Sequence, residues 1–192
     1  MSRNGWRWLL FSAAALVGAH LIDGWAVTAL NWPSAGDRDW GRLLRILGFA
    51  PTWGLLALAL WLESRRPGEP AARLRTAAVA IVLAVAVAGV AGEAAKLLVR
   101  RVRPDELFAG YSFRSFLEQP WSSKGFGFPS GHTTVAFAGA AALATVFPRT
   151  APVILLLAAG TGLSRVFAHA HFVSDVVGGA LGAAWIGRTV AL

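Results

Sequence analysis

Cysteine is absent from this 192-residue chain, so neither a disulfide framework nor a thiolate metal site is open to it. Charge is scarce as well: 15% of residues are charged, and 10 acidic residues face 18 basic ones. Carboxylates this sparse, set among cations that would repel a metal ion, build no oxygen cage for Mg2+ or Ca2+. No metal and no other cofactor is therefore expected. Internal repeats, low-complexity tracts and Gly/Ser linkers are missing too, which leaves a single domain over 1–192 with no room for a soluble module. What fills the chain is apolar: 56% of residues are hydrophobic and the mean hydropathy is +0.56. That is too apolar for a soluble domain.

Six runs approach the roughly 20 apolar residues that a membrane span needs: 8–30, 43–62, 76–99, 133–147, 150–167 and 173–192. The fourth is short and is expected to start nearer Ser130. Abundant Gly and Ala suit close helix packing in a bilayer. The predicted fold is all-α: a polytopic membrane bundle of six transmembrane helices, with an interfacial loop segment between the third and fourth. The start, "MSRNGWRWLLFSAAALVGAHLI", has the basic head and apolar core of a signal sequence. It lacks a small-x-small cleavage site before a polar mature start, so it reads as an uncleaved first span.

The net charge of +8 is scattered among short loops, which argues against nucleic acid as a partner. Membrane lipid headgroups or an anionic substrate fit better. The connection "ESRRPGEPAARLR" at 63–75 carries Arg65, Arg66, Arg73 and Arg75, and Pro67 and Pro70 are expected to keep it from being helical. The positive-inside rule makes it cytoplasmic, along with the N-terminus bearing Arg3 and Arg7. Six spans then put both termini inside. The raw count of basic residues runs slightly against this orientation, but several of the outer ones have a chemical use.

Three polar patches fall at span ends: "KLLVRRVRP" (96–104) closing the third, "FPSGHTT" (128–134) opening the fourth, and "SRVFAHAHFVSD" (164–175) joining the fifth to the sixth. Alternating spans bring all three to one membrane face. Ionisable groups near lipid are costly without a purpose, so the convergence reads as a site. Lys96, Arg103 and Arg165 are cations suited to phosphate. Ser130 and Gly131 open a helix, whose free N–H groups and dipole favour an anion. His171 and Asp175, four apart, share a face if helical. Their pairing would fix the imidazole tautomer and leave the other nitrogen free to attack. His132 is then placed to protonate a leaving oxygen.

Together these patches resemble the phosphatidic acid phosphatase type 2 family. Its pattern K-x6-R-P, P-S-G-H and S-R-x5-H-x3-D reads here as Lys96 to Arg103-Pro104, Pro129-Ser130-Gly131-His132, and Ser164-Arg165 to His171 and Asp175. The resemblance covers about 92–182; the first two spans match only as generic membrane helices. It implies His171 as a nucleophile forming a phosphohistidine, Asp175 as its orienting carboxylate, and His132 as general acid and then base. It implies Lys96, Arg103, Ser130, Gly131 and Arg165 as the phosphoryl cradle, with no metal. The expected activity is hydrolysis of a lipid phosphate or diphosphate. Polyprenyl (undecaprenyl) diphosphate, phosphatidylglycerophosphate, phosphatidic acid and the 1-phosphate of lipid A are all candidates. The expected place is a bacterial inner membrane, with the site facing the periplasm or exterior. The same resemblance extends to vanadate-dependent haloperoxidases, which are typically soluble. A lipid-phosphate binding or transport protein would need only the cations.

Duller readings apply to the rest. Arg100 and Arg101 read as topology anchors or headgroup contacts. His20 and Asp23, three apart in the first span, can pair on one helical face, as a functional pair or as a structural one. Glu93 can form a salt bridge with Lys96. His169 lies outside the pattern and either tunes the neighbouring imidazole or faces water. The Phe-rich loop 105–128, with Tyr111 and Trp121, reads as a re-entrant or interfacial segment admitting a lipid tail, or as simple interfacial anchoring.

Overall fold

The structure, a computed structural model, describes residues 3–30, 32–66, 70–104 and 110–192. It is all-helical: α1 (Arg3–Ala29), α2 (Asp39–Leu47), α3 (Ala50–Glu63), α4 (Pro70–Val99), α5 (Gly131–Val146), α6 (Ala151–Phe167) and α7 (Val173–Ala191). Short 3-10 turns occupy Pro33–Gly36 and Pro148–Thr150.

Every apolar run is helical, yet the count of spans differs from six. Among the described residues, three helices are long and apolar enough to cross a membrane: Gly5–Ala29, Pro70–Val99 and Pro148–Phe167. A fourth follows if α2 and α3, bent by 66°, form one span. Helix α5 is apolar but has 16 residues, about 24 Å at 1.5 Å per residue. That falls short of a hydrocarbon core about 30 Å thick. Helix α7 is diluted by glycines, Ser174, Asp175 and Arg188.

The second run is not one straight helix. Gly48 ends α2 and Pro51 opens the first turn of α3. Proline has no N–H to offer the preceding turn and is favoured where a helix begins, so the chain breaks there. The same preference corrects the reading of 63–75. Pro70 does not hold the segment out of a helix but starts α4, six residues before the expected 76; Pro67 lies outside the described residues. One turn into α4, Arg73 donates to the Val146 carbonyl at 2.8 Å and lies over the Phe147 ring. A cation there suits the negative end of the α5 dipole.

Helix α5 is the axis of the bundle, flanked by α4, α6 and α7. Its buried face is built from Ala136, Ala138, Gly139, Ala140 and Ala142. Small side chains let neighbouring backbones approach, so packing rather than solvent exclusion holds helices together in lipid. Gly139 takes the Trp53 ring directly against its backbone. That indole is 2% exposed and donates to the Leu47 carbonyl at 2.7 Å. Through it α3 is pinned to both α5 and the end of α2.

Of the aromatic loop, residues 105–109 lie outside the described residues. The remainder contains turns and two isolated antiparallel bridges, Arg101 with Phe113 and Val102 with Phe126, and no helix. Leu117 and Trp121 are 93% and 90% exposed at its tip.

Candidate active site

The start of α7 sets the centre of the site. Asp175 sits in its first turn, fully buried, and Oδ2 accepts the Phe172 N–H at 2.9 Å. A carboxylate returning to the helix's own first N–H groups is held by local geometry. His171 therefore precedes the helix rather than sharing a helical face with Asp175, as the four-residue spacing alone suggests. The two still meet, with His171 Nδ1 3.5 Å from Asp175 Oδ2. That is too long for a strong hydrogen bond, and buried Nδ1 has no other partner among the described residues. Burial holds the His171 pKa below the ordinary 6.5. Asp175 opposes this effect, while Arg103 and Arg165 reinforce it.

The start of α5 lies alongside. Ser130 precedes its first turn and donates its N–H to the Asp175 carbonyl at 3.0 Å, joining the two helix ends. Its hydroxyl accepts from Thr133 Oγ1 at 3.0 Å and does not cap the helix. The first-turn N–H groups of α5 thus have no side-chain acceptor of their own. Lys96 comes up beside them from the last turn of α4. A β-carbon on Gly131 would lie 3.2 Å from its Nζ. Glu93 holds that ammonium at 2.5 Å, the pairing expected from the three-residue spacing.

His132 stands in the same turn, within electrostatic reach of His171, Arg165, Arg103 and Arg45. Arg103 anchors its backbone N–H on the Gly125 carbonyl at 3.2 Å. Arg165, in the last turn of α6, keeps a buried Nε with no partner among the described residues. A buried donor left unpaired is costly. Here it stands beside further cations, an arrangement that an anion would relieve. All eight expected site positions thus converge at one end of the bundle. Among the described residues, no three His, Asp or Glu side chains gather as a metal set.

Two further arginines are not what they seem in sequence. Arg100 and Arg101 are neither anchors nor headgroup contacts, being 1% and 3% exposed. Arg100 ends α4 in the left-handed region at φ 57°, a conformation costing an L-residue about 1–2 kcal/mol. Its guanidinium offsets this by donating to the carbonyls of Arg114, Ser115, Glu118 and Pro120, between the Phe116 and Phe126 rings. Charge-assisted bonds of this kind order the loop from inside. Arg101 pairs with Asp175 Oδ1, donates to Ser174 Oγ at 2.9 Å and approaches His20 Nε2 at 3.3 Å; its Nε has no partner among the described residues.

His20 and Asp23 do not pair with each other. His20 Nδ1 meets the Leu16 carbonyl at 3.0 Å, leaving Nε2 to face Arg101. Asp23, fully buried, accepts from the Ser174 N–H at 2.9 Å, from the Ser174 hydroxyl and from Tyr111 OH at 2.8 Å. Burial first, then Asp23, push the Tyr111 phenol up to about 12, so it remains a donor at physiological pH. His169, half-buried, reaches α1 instead of another imidazole: its Nε2 lies 3.0 Å from the Val27 carbonyl. Arg45, exposed in the last turn of α2, is a basic neighbour that motif spacing did not single out. Only its place in an amphipathic run just before a Gly-Phe-Ala-Pro break marks it.

Known proteins bear on this arrangement. Residues 77–192 match the family model described as the PAP2 superfamily. A protein of Rhizobium johnstonii named lipid A 1-phosphatase is 35% identical over 108 residues, 56% of this chain and 44% of that protein. Its namesake from Rhizobium etli is 33% identical over 108 residues, 56% of this chain and 46% of its own length. The matched stretch is thus under half of each relative. With the family match spanning α4 to α7 and every motif position within it, the chain belongs to the PAP2 superfamily.

Proposed function

We propose that this protein is a metal-independent lipid phosphatase or diphosphatase working through a phosphohistidine on His171. In this reading Nδ1 faces Asp175, which leaves Nε2 as the nucleophile. Nε2 attacks phosphorus, the bond from phosphorus to the lipid-side oxygen breaks, and His132 donates a proton to that oxygen. His132 then removes a proton from water, water oxygen attacks phosphorus, and the P–N bond breaks to release phosphate and restore His171. Asp175 stabilises the imidazolium that forms between the two steps. Lys96, Arg103, Arg165 and the α5 N-terminus neutralise the equatorial oxygens, which is most of what phosphoryl transfer asks of a protein.

One observation carries the reading. The buried, unpartnered Arg165 Nε, the Lys96 ammonium and the uncapped start of α5 share one end of the bundle with His171 and His132. Binding alone would need the cations but neither imidazole. The substrate is a lipid phosphate or diphosphate, approached from the outer face of the inner membrane, with Leu117 and Trp121 dipping into the interface beside the site. Lipid A 1-phosphate is the first candidate, a choice supported by the names of the two Rhizobium relatives; polyprenyl diphosphate, phosphatidylglycerophosphate and phosphatidic acid follow.

Purified protein in detergent with EDTA should release phosphate from at least one of these four lipids. His171→Ala should reduce release by about 10³-fold or more. Full activity in His171→Ala, or a strict need for magnesium, overturns the mechanism. Halide oxidation dependent on vanadate, with no phosphate release, transfers the site to the haloperoxidase chemistry.

A further inference from the structure

The family match begins at residue 77, so α1 lies outside it, yet α1 reaches the reaction centre through buried polar contacts. We infer that Arg101 is a positioning residue for the reaction, and that His20, Asp23 and Tyr111 hold it in place so that α1 forms part of the catalytic apparatus. This rests on the proposed role of His171 and Asp175.

Asp175 has two carboxylate oxygens with separate duties: Oδ2 faces the Phe172 N–H and His171, while Oδ1 is engaged by the Arg101 guanidinium. A carboxylate anchored on both sides cannot rotate its oxygens away from the imidazole. The same guanidinium donates to Ser174 Oγ, and that hydroxyl passes its proton toward Asp23 Oδ2. Asp23 is the second buried anion, and its Oδ1 accepts the Ser174 N–H at 2.9 Å, so α1 grips the backbone of α7 directly. Tyr111 and His20 complete the shell from the loop and from α1. Arg101 also lies about 5.1 Å from the ring centroids of Tyr111, Phe128 and Phe172. Aromatic faces of this kind stabilise a desolvated guanidinium that water cannot reach.

Arg101 stands between two buried carboxylates, in surroundings where leaving either of them alone would be costly. Its charge also limits how strongly Asp175 favours a proton on His171. The groups facing His171 are Asp175 from α7, Arg165 from α6, His132 from α5 and Arg103 from the segment after α4. Removing Arg101 leaves the Asp175 charge less compensated, which favours the imidazolium. The midpoint of His171 titration then moves to higher pH. A purely structural residue would lower the amount of folded protein without moving that midpoint.

The test uses the full chain in detergent, comparing wild type with Arg101→Met, Arg101→Lys and Asp23→Asn. Arg101→Met should lower kcat about tenfold or more with KM held within about twofold, since the phosphate cradle is untouched. It should also shift the acid limb of the rate upward. Arg101→Lys should recover part of kcat, because an ammonium restores the charge but not the fork that spans Asp175 and Ser174. Asp23→Asn should lower kcat in the same direction by less. An unmoved acid limb in folded Arg101→Met, or a loss confined to KM, overturns the inference while leaving the phosphatase reading intact. If wild type releases no phosphate from any lipid, that reading fails instead. The coupling is then read from 15N-histidine NMR, with the His171 resonance assigned by its loss in His171→Gln. An identical His171 midpoint in wild type and Arg101→Met overturns the positioning role there as well.

Discussion

Gly48 lies so close to His132 that a β-carbon on it would stand 2.6 Å from the His132 Cβ and 2.9 Å from its Cα. The φ of Gly48 is −85°, an angle open to any residue, so proximity alone demands glycine here. The atoms in the way include backbone of α5, which a rotamer change cannot clear. Gly48→Ala should therefore displace the first turn of α5 or the end of α2 by several tenths of an ångström. A shift of that size in a general acid costs about tenfold or more in kcat. Phosphate-release kinetics beside a thermal melt checks this: a near-normal melt with normal kcat would show that His132 does not depend on the bend.

The convergence of the three motif patches is legible in the sequence because helices that run back and forth bring alternate ends to one side, whether or not each crosses a membrane, and residue type declares the chemistry. The Glu93–Lys96 pair follows from helical spacing for the same local reason. Arg101 is not legible. It stands in a run of three arginines within four residues, and nothing in the spacing separates the buried guanidinium from a headgroup anchor. Only the fold brings Asp175, Ser174 and His20 around it. The 66° break between α2 and α3 hides for a related reason. A Gly and a Pro in an apolar run permit a bend, but the space left by His132 and Trp53 decides that one is needed.

The acid limb of the pH dependence follows from His171. As the proposed nucleophile its imidazole would have to be neutral, and burial lowers its pKa below the ordinary 6.5. Activity should therefore persist as pH falls through 6.5 and be lost only below it, as the folded protein finally takes up the proton. A profile of kcat/KM against pH reports the free enzyme and is the measurement to make. An acid limb at or above 6.5 would contradict the burial argument.

Arg45 approaches the site from an exposed position on α2, where water screens its charge. Its contribution should appear in binding rather than in chemistry. Arg45→Ala is expected to raise KM a few-fold, about 1 kcal/mol at most for an exposed charge, with kcat little changed. The effect should fade at high salt, because the Debye length shrinks to about 3 Å at 1 M. A large fall in kcat that salt does not touch would place Arg45 on the reacting phosphoryl group instead.

Arg165 sets stability against function. Its Nε is buried with no partner among the described residues, and Arg45 and Arg103 stand within reach as like charges. Replacing a poorly compensated ion by an apolar side chain of similar size often stabilises a protein, and for half-buried Arg165 water screening keeps that gain small. Arg165→Met should therefore melt a few degrees higher than wild type while losing turnover. The order should reverse in saturating phosphate or vanadate. An anion that binds only the folded state stabilises it by mass action, and wild type would gain far more from it than the variant. Melting curves of both proteins, with and without the anion, decide the matter. Equal anion-induced shifts would mean that Arg165 does not hold the phosphoryl oxygens, and the cradle would lose one of its three cations.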